Sequence, residues 1–461
     1  MNAITNLLER ACDIVWGWPM IVLLMGTHLF LTFRLKVPQR RIGKAIKLSV
    51  TKDVDSAGDV SQFGALATSL AATIGTGNII GVATAIALGG PGALFWCFVA
   101  GLFGIATKYA EGVLAVKYRV KNVNGEMQGG PMYALERGLG MRWLAVLFCV
   151  FTALASFGIG NMVQSNAISE SVAGLVGDAV PPMTVRVVVG VLIATLTAIV
   201  IFGGVKGISR FCSALVPPMA ALYVVGCVTI LVINRQWLWP SLCTICTDAF
   251  SLKAGTGGVA GVAIMTTLRF GVARGLFSNE SGLGSAPIVA AAARSRNPVR
   301  QALVLSSGAF WDTAVICTLT GLVVVSSLLA HPDIDPTSPL LTYAAFEKIP
   351  FVGTPLLTFG IIMFAFTTIL GWSYYGERAI EYMFGRRIVL PYRIAWVVMT
   401  CVGSVLSLGV VWNFADLMNA MMALPNLVAL VCLSGVVARE TKHYLWENRL
   451  DEPMKEDETA S

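Results

Sequence analysis

Charged residues are scarce in this chain. Lys, Arg, Asp and Glu make up 13% of its 461 residues, whereas about 25% is usual for a soluble domain. Apolar residues account for 56%, so too few charges remain to cover the surface of a soluble core of this size. The same figures exclude disordered, collagen-like and small disulfide-rich chains. The composition therefore predicts a membrane protein.

Histidine clusters and catalytic motifs are also missing. The three histidines, His28, His331 and His443, are far apart, and the chain has no H-E-x-x-H, G-x-S-x-G or P-loop motif. We expect neither an enzyme nor an ATP-driven pump, and no cofactor. Most of the ten cysteines lie in apolar runs and are expected to pack there. The net charge of +7 is spread along the chain, which argues against a nucleic-acid partner.

Long apolar runs make up most of the sequence. A helix that crosses the roughly 30 Å hydrocarbon layer needs about 20 mostly apolar residues. The chain contains eleven such runs, near 14–33, 60–88, 93–116, 143–172, 184–203, 209–233, 256–292, 301–330, 353–383, 391–411 and 414–438. The sequence thus predicts an all-α polytopic protein of eleven transmembrane helices in a lipid bilayer.

Lysine and arginine mark alternate connections between these runs. The connection 34–52 carries seven of them, and the connections that follow runs 3, 5, 7 and 9 are also basic, whereas those between are nearly free of basic residues. Because basic loops stay in the cytoplasm, we expect the amino terminus outside and the tail inside. A bacterial inner membrane is the expected location.

Two runs are unusually long and contain glycine near their middle. The second holds Gly75 and Gly77, and the seventh holds Gly271 and Gly275. Glycine permits an opened backbone, which at membrane depth is tolerated only beside a polar cavity. Glycine also permits close helix packing, and residue type alone does not separate the two interpretations.

The order of the runs favours the opened backbone. Without the first run, ten remain, and each glycine-containing run is the first of five. Five is odd, so the two sets have opposite orientations, as in a transporter with an inverted repeat. We predict an extra helix and basic linker in 1–53, a transporter core in 54–438 with repeats near 60–233 and 256–438, and a tail in 439–461.

Neutral oxygen atoms near the first glycine pair are candidate cation ligands. They comprise the carbonyls of Ala71 and Ile74 and the side chains of Thr73, Thr76, Asn78, Thr367 and Thr368. Hydroxyls and freed carbonyls can replace the water around a small cation. The alternative for each threonine is a hydrogen bond to its own i−4 carbonyl.

Candidate substrate contacts and buried charges complete the set. Gln164 is suited to hold an ammonium or carboxylate group, and Phe270, Phe277 and Trp372 are suited to wall a pocket. Interhelical hydrogen bonding and ordinary core packing are the alternatives. Four ionisable residues within the runs are costly in lipid: Arg269, Arg274, Glu280 and Asp312. We expect Glu280 to pair with an arginine as a gate and Asp312 to support a cation, with a structural ion pair as the alternative.

Four segments resemble the alanine or glycine:cation symporter family. They are residues 75–92 (GTGNIIGVATAIALGGPG), 106–111 (ATKYAE), 271–287 (GVARGLFSNESGLGSAP) and 311–320 (WDTAVICTLT). The first is also similar to the unwound first helix of neurotransmitter:sodium symporters. The resemblance implies a leucine-transporter-like 5+5 inverted repeat with two discontinuous helices, here with one extra amino-terminal helix. It implies symport of alanine or glycine with sodium, or less often with a proton.

The same resemblance implies roles for individual residues. One cation site would contain Asn78 and Thr73, and a second would contain the carbonyls of Ala71 and Ile74 with Thr367 and Thr368. The substrate pocket would be lined by Gly75, Thr76, Gly77, Gln164, Gly271, Phe277, Thr368 and Trp372. A broader neutral amino acid transporter, a channel and a membrane enzyme are the remaining alternatives.

Overall fold

The computed structural model describes residues 8–454 except 9, 13, 52, 54, 55, 178, 179, 252–259, 339, 407 and 408. Helices dominate this part of the chain, and its two strands, β1 (Val120–Lys121) and β2 (Met127–Gln128), form a short antiparallel hairpin that pairs Val120 with Gln128. The start predicted for the second repeat, residue 256, and the end of the tail lie outside the described residues.

The structure gives bounds for ten helices in the first half of the described residues. They are α1 (Trp18–Arg34), α2 (Ile42–Ser49), α3 (Gln62–Thr73), α4 (Val82–Gly89), α5 (Ala93–Lys117), α6 (Pro131–Tyr133), α7 (Arg142–Ala155), α8 (Val163–Val176), α9 (Pro182–Ile201) and α10 (Gly204–Ile233). A π-helical segment, Ser156–Met162, joins α7 to α8, so the two form one continuous span.

Another ten have bounds in the second half of the described residues. They are α11 (Leu238–Asp248), α12 (Ala260–Asn279), α13 (Ala286–Ala290), α14 (Pro298–Ala309), α15 (Thr318–Ala330), α16 (Leu341–Phe346), α17 (Gly353–Phe384), α18 (Val389–Val405), α19 (Gly409–Cys432) and α20 (Ser434–Glu440). A second π-helical segment, Phe310–Cys317, joins α14 to α15. Such segments often mark functional positions, and this one carries Asp312.

Ten of the eleven predicted runs have a counterpart among the described residues. Eight helices are long and apolar enough to cross a membrane, and the number is ten if each of two bent pairs is one span. The pairs are Trp18–Arg34 with Pro38–Ser49, and Gln62–Thr73 with Gly77–Gly89. The seventh run begins outside the described residues, so the count of eleven stays a prediction.

Helix α5 lies at the centre of the packing that positions the site. It contacts α12 and α14 along most of its length and also packs against α1. Apolar and small residues cover its carboxyl-terminal half, and from Gly104 to Val116 every residue is buried. Two of those buried residues are charged, Lys108 and Glu111, and they are directed at the second interrupted helix.

Candidate functional site

The first interrupted helix opens at Ile74 and Gly75. Helix α3 ends at Thr73, and Ile74 adopts an extended conformation with φ −80° and ψ 100°. The chain then resumes through a π-helical turn, and the two halves are bent by 54°. The side chain of Asn78 folds back so that its Oδ1 accepts the Gly75 N–H at 3.0 Å. The opening predicted at this position is therefore present.

Thr368 of α17 faces the carbonyl groups that this opening frees. Its Oγ1 lies 3.0 Å from Ala71 O, 3.4 Å from Ile74 O and 3.0 Å from Phe364 O. A hydroxyl has one proton, so it cannot satisfy all three carbonyls at once. The result is a buried group of neutral oxygens from two helices, which is the chemistry that a small hard cation prefers.

Two other predicted cation ligands point elsewhere. Thr367 Oγ1 donates to Phe364 O at 3.0 Å and approaches Met219 Sδ at 3.8 Å. Thr73 Oγ1 donates to Ser69 O at 2.7 Å, which is the local i−4 bond. Both hydroxyls are thus engaged by carbonyls of their own helices, and their assignment as cation ligands stays a prediction.

A second polar cluster surrounds the fully buried carboxylate of Asp312. Its Oδ1 accepts from Asn78 Nδ2. Its Oδ2 accepts from Ser278 Oγ at 3.0 Å and from Thr313 Oγ1 at 2.8 Å. The cluster thus unites the first interrupted helix, the end of α12 and the π-helical segment of the following span. Ser278 and Thr313 were not predicted.

Gln164 lies beside the first opening, as expected for a substrate contact. Its Oε1 accepts from Thr76 Oγ1 at 3.3 Å, and its Nε2 donates to Ile159 O at 3.1 Å. A Cβ at Gly75 would lie 2.8 Å from Thr368 Oγ1 and 3.5 Å from Gln164 Oε1. Gly75 therefore adjoins both the substrate candidate Gln164 and the Thr368 oxygens.

An open cavity of about 640 Å³ leads to this point. Thr76, Gly77 and Phe277 lie on its wall, and Leu340 and Tyr343 line it from the segment before α17. Phe277 lies 3.5 Å from the position of a Cβ on Gly77. The cavity gives a molecule from one side of the protein access to the opened backbone.

The predicted aromatic wall is only partly correct. Trp372 is buried at 2% exposure, and its side chain covers Gly160, where no Cβ would fit. Phe270 does not line the cavity beside Thr76. It lines a neighbouring cavity of about 320 Å³ with Trp16 and Asp416, and Phe277, two turns later on the same face of α12, lines both cavities.

The second interruption differs in position from the prediction. Helix α12 continues unbroken through Gly271 and Gly275 to Asn279. A Cβ on Gly271 would collide with Ala93 O, and one on Gly275 would lie 2.8 Å from Cys97 O. Both glycines serve close packing against α5, so their assignment to the opening was wrong, and Gly271 does not line the cavity.

The helix instead opens between Glu280 and Ser285. Three residues there have positive φ, Glu280 at 56°, Gly282 at 90° and Gly284 at 84°. Glycine adopts this conformation without strain, whereas Glu280 does so at a cost. The interrupted helix exists, but the glycines that open it are Gly282 and Gly284.

Helix α5 supplies the partners that the opened turn lacks. Lys108 Nζ donates to Asn279 O at 2.7 Å, at the carboxyl end of α12. Glu111 Oε1 accepts the N–H groups of Gly282 and Gly284, each at 3.0 Å. A cation at a helix carboxyl end and an anion at free N–H groups are both favoured electrostatically. The two charges therefore hold the opened segment in place.

The predicted gate between Glu280 and an arginine is not formed. Glu280 Oε2 accepts from Ser285 Oγ at 2.6 Å, and its cationic neighbour is Lys108. Arg274 lies over the Phe277 ring at 5.6 Å and Arg269 over the Phe270 ring at 5.7 Å. Arg274 and Arg269 lie about two and three turns before Glu280 on α12, which is too far along the helix for pairing.

Sequence reasoning missed Lys108 and Glu111 as functional candidates. Both stand in the segment 106–111, which had been noted only for its resemblance. A lysine and a glutamate three residues apart in an apolar run lie on one helix face, and each is costly in lipid without a partner. That pattern was the available signal.

Comparison with known proteins agrees with this geometry. A family model described as the sodium:alanine symporter family matches residues 1–458. The sodium/alanine symporter AgcS of Methanococcus maripaludis is 49% identical over 448 residues, which cover 95% of this chain and 97% of AgcS. The probable sodium/glutamine symporter GlnT of Bacillus subtilis is 38% identical, over 94% of this chain and 89% of GlnT.

The chain belongs to the sodium:alanine symporter family. It is accordingly a multi-pass membrane protein that couples amino acid transport to a cation, and it is not an enzyme. The cation is cargo in such a protein rather than a resident cofactor.

Solved structures confirm the fold class. MhsT, solved in complex with L-phenylalanine, superposes with a TM-score of 0.62 at 13% identity, over 85% of this chain and 94% of MhsT. A Na+-coupled sialic acid symporter superposes with a TM-score of 0.52 at 11% identity, over 91% of this chain and 98% of that protein. The leucine-transporter-like fold expected from the sequence is correct.

Proposed function

We propose that this chain imports alanine, glycine or both together with sodium, by alternating access. The observation that carries the proposal is the meeting of Thr368 Oγ1 with Ala71 O and Ile74 O at the first opening. Neutral oxygens hold a small cation without trapping it, because no fixed charge is present. AgcS, at 49% identity, is named a sodium/alanine symporter, and this supports the choice of cargo.

A second cation would bind near Asn78, Ser278 and Asp312. The ammonium group of Lys108 interacts electrostatically with the carboxylates of Glu280, Asp312 and Glu111. With these carboxylates ionised, one ammonium faces three negative charges. A buried surplus of negative charge is costly, and a bound sodium ion would offset part of it.

The substrate would bind between the first opening and Gln164. The amino-terminal end of the second half-helix, near Thr76, presents N–H groups that favour a carboxylate. Gln164 and the hydroxyl of Thr76 supply further polar contacts. Phe277 bounds the cavity beside Gly77, and one methylene on the substrate changes binding by only about 1–3 kcal/mol. The resemblance to GlnT makes a broader neutral amino acid range the second candidate.

Coupling to sodium would give substantial accumulation. One cation that enters through 100 mV supplies about 2.3 kcal/mol, and a tenfold concentration gradient supplies about 1.4 kcal/mol. Together these could hold a substrate gradient of roughly 500-fold. Import requires the large cavity to face outward, which is the orientation that the basic connections favour, with the amino terminus outside and the tail in the cytoplasm.

Uptake into proteoliposomes tests the cargo and the ion. Labelled alanine, glycine and glutamine are supplied with an inward sodium gradient at equal pH, and then with a proton gradient in the absence of sodium. We expect alanine and glycine to accumulate only with sodium. Accumulation with protons alone would overturn sodium coupling, and preferential glutamine uptake would overturn the small-substrate assignment.

Two further measurements address the mechanism. Counterflow of unlabelled against labelled alanine occurs in a carrier and not in a channel, and recovery of chemically intact alanine excludes modification. Asn78→Ala should abolish sodium-dependent uptake while the protein remains in the membrane. Asn234→Ala is the matched control, since Asn234 is also buried but bonds Ser327 far from both openings, and it should retain uptake.

A further inference from the structure

A basic pocket lies at the carboxyl end of α5, and it shares no lining residue with the cavity of about 640 Å³. It has a volume of about 480 Å³. Among the described residues no carboxylate lines it, and five cationic side chains do: Lys117, Arg119, Lys121, Arg137 and Arg296. Like charges this close repel one another, so the pocket is suited to an anion.

Nearby acids neutralise only part of this charge. Lys117 Nζ lies 3.0 Å from Glu440, and Arg296 Nε lies 2.7 Å from Asp53. Lys121 and Arg137 are exposed and have no ion-pair partner among the residues that the structure describes. At least two positive charges, those of Lys121 and Arg137, therefore remain for a ligand.

Arg119 anchors the pocket to both interrupted helices. Its guanidinium donates to Ala57 O at 3.2 Å, ahead of α3, and to Ala291 O and Ala293 O at 3.3 and 3.0 Å, just after α13. Because its geometry is fixed by backbone carbonyls, Arg119 is held in place before any ligand arrives. A ligand that binds here would also stabilise the contact between the two interrupted helices.

The depth of the pocket matches the phosphate layer of a membrane. Lys117 is the last residue of a spanning helix, and Arg137 stands five residues before the span that begins at Arg142. Trp143, at the start of that span, is 69% exposed, and exposed tryptophans are typical of the headgroup region. Basic pockets between spanning helices at this level bind anionic lipid headgroups.

We propose that this pocket binds the phosphate of an anionic phospholipid headgroup. The bound lipid joins the free cations Lys121 and Arg137 to the region that Arg119 fixes, and so stabilises the closed arrangement of the interrupted helices on this side. The pocket shares no lining residue with the cavity beside Thr76, so binding of the lipid does not depend on the cargo proposed above.

Thermal unfolding of the full chain in a neutral detergent tests the proposal. Dioctanoyl phosphatidylglycerol is titrated against dioctanoyl phosphatidylcholine and against inorganic phosphate. We expect phosphatidylglycerol alone to raise the unfolding midpoint by several degrees, with saturation. An equal rise with inorganic phosphate would show a soluble-anion site and overturn the lipid assignment, and no specific rise with phosphatidylglycerol would overturn the site.

Variants locate the response. In Lys121→Ala/Arg137→Ala the rise should disappear, while the unfolding midpoint without lipid stays near that of the wild type because both side chains are exposed. Lys44→Ala/Lys47→Ala removes the same charge from exposed positions on α2 and should retain the full rise. Equal losses in both variants would mean a general charge effect and would overturn the proposal.

One further arm addresses the chain's own tail. Residues 456–458 are Glu-Asp-Glu and follow Met454, which lines the pocket. A chain truncated after Met454 should respond to phosphatidylglycerol as the full chain does. A response that appears only after truncation would show that the lipid is not the occupant in the full chain.

Discussion

Lys108 and Glu111 stand three residues apart on one spanning helix and bind opposite sides of one opened turn. The ammonium of Lys108 holds the last carbonyl of α12, and the carboxylate of Glu111 holds the N–H groups of Gly282 and Gly284. Asn426 Nδ2 donates to the same carboxylate oxygen at 2.7 Å. The second interrupted helix therefore stays open because a neighbouring helix replaces its lost hydrogen bonds.

Removal of the lysine charge should destabilise the protein strongly. In Lys108→Met the carboxylates of Glu111, Glu280 and Asp312 lose their common cation, and one partner removed from a buried charge network costs about 3–5 kcal/mol. We expect a clear fall in the thermal unfolding midpoint and in uptake. The exposed Lys47 provides the control Lys47→Met, which should change neither; unchanged stability in Lys108→Met would contradict the role assigned to this lysine.

Substitution of the two adjacent threonines of α17 should have very different effects on the activation of uptake by sodium. Thr368→Val removes the hydroxyl that meets Ala71 O and Ile74 O, so the sodium concentration for half-maximal uptake should rise roughly ten- to hundredfold. Thr367→Val removes only a local bond to Phe364 and a contact with Met219, and should leave sodium activation nearly unchanged. Sodium titration of uptake measures both, and equal effects would refute the assignment.

Gln164 should affect the affinity for the substrate more than the affinity for the cation. Gln164→Ala removes the acceptor for Thr76 and the polar surface beside Gly75, and one such contact is worth about 1–3 kcal/mol when left unpaired. We expect the KM for alanine to rise at least tenfold while the sodium dependence of uptake keeps its midpoint. A shift in the sodium midpoint alone would place Gln164 in a cation site instead.

The packing role of the α12 glycines can be checked without transport. A methyl group on Gly275 would lie 2.8 Å from the backbone oxygen of Cys97, so Gly275→Ala should lower stability by about 1–3 kcal/mol through overpacking. Gly435 has no atom within 4 Å of the same position, and Gly435→Ala should be neutral or slightly stabilising. Thermal unfolding in detergent compares the two variants. A Gly275→Ala variant as stable as the wild type would contradict the packing role of Gly275.

Most of the fold was predictable because the thickness of the hydrocarbon layer sets the length of an apolar helix that crosses it. Runs of about 20 apolar residues predicted the eight spans that the described residues contain, or ten if each bent pair is one span. The first opening was predictable for a local reason, since Gly75 and Asn78 lie beside it and Asn78 satisfies the freed N–H of Gly75. The position of the second opening was not, because Gly271 and Gly275 looked equivalent to Gly75 in sequence and differ only in what lies opposite them.

Composition and residue order alone determined that this is a helical membrane transporter with a polar region near Asn78, because lipid penalises every unpaired charge and backbone group. Tertiary structure decided which of two neighbouring threonines faces the freed carbonyls and where the second helix opens. It also brought Asp312 to Asn78 and Lys108 to Asn279. Those contacts join residues up to 297 positions apart, and no local pattern encodes which helix faces will meet.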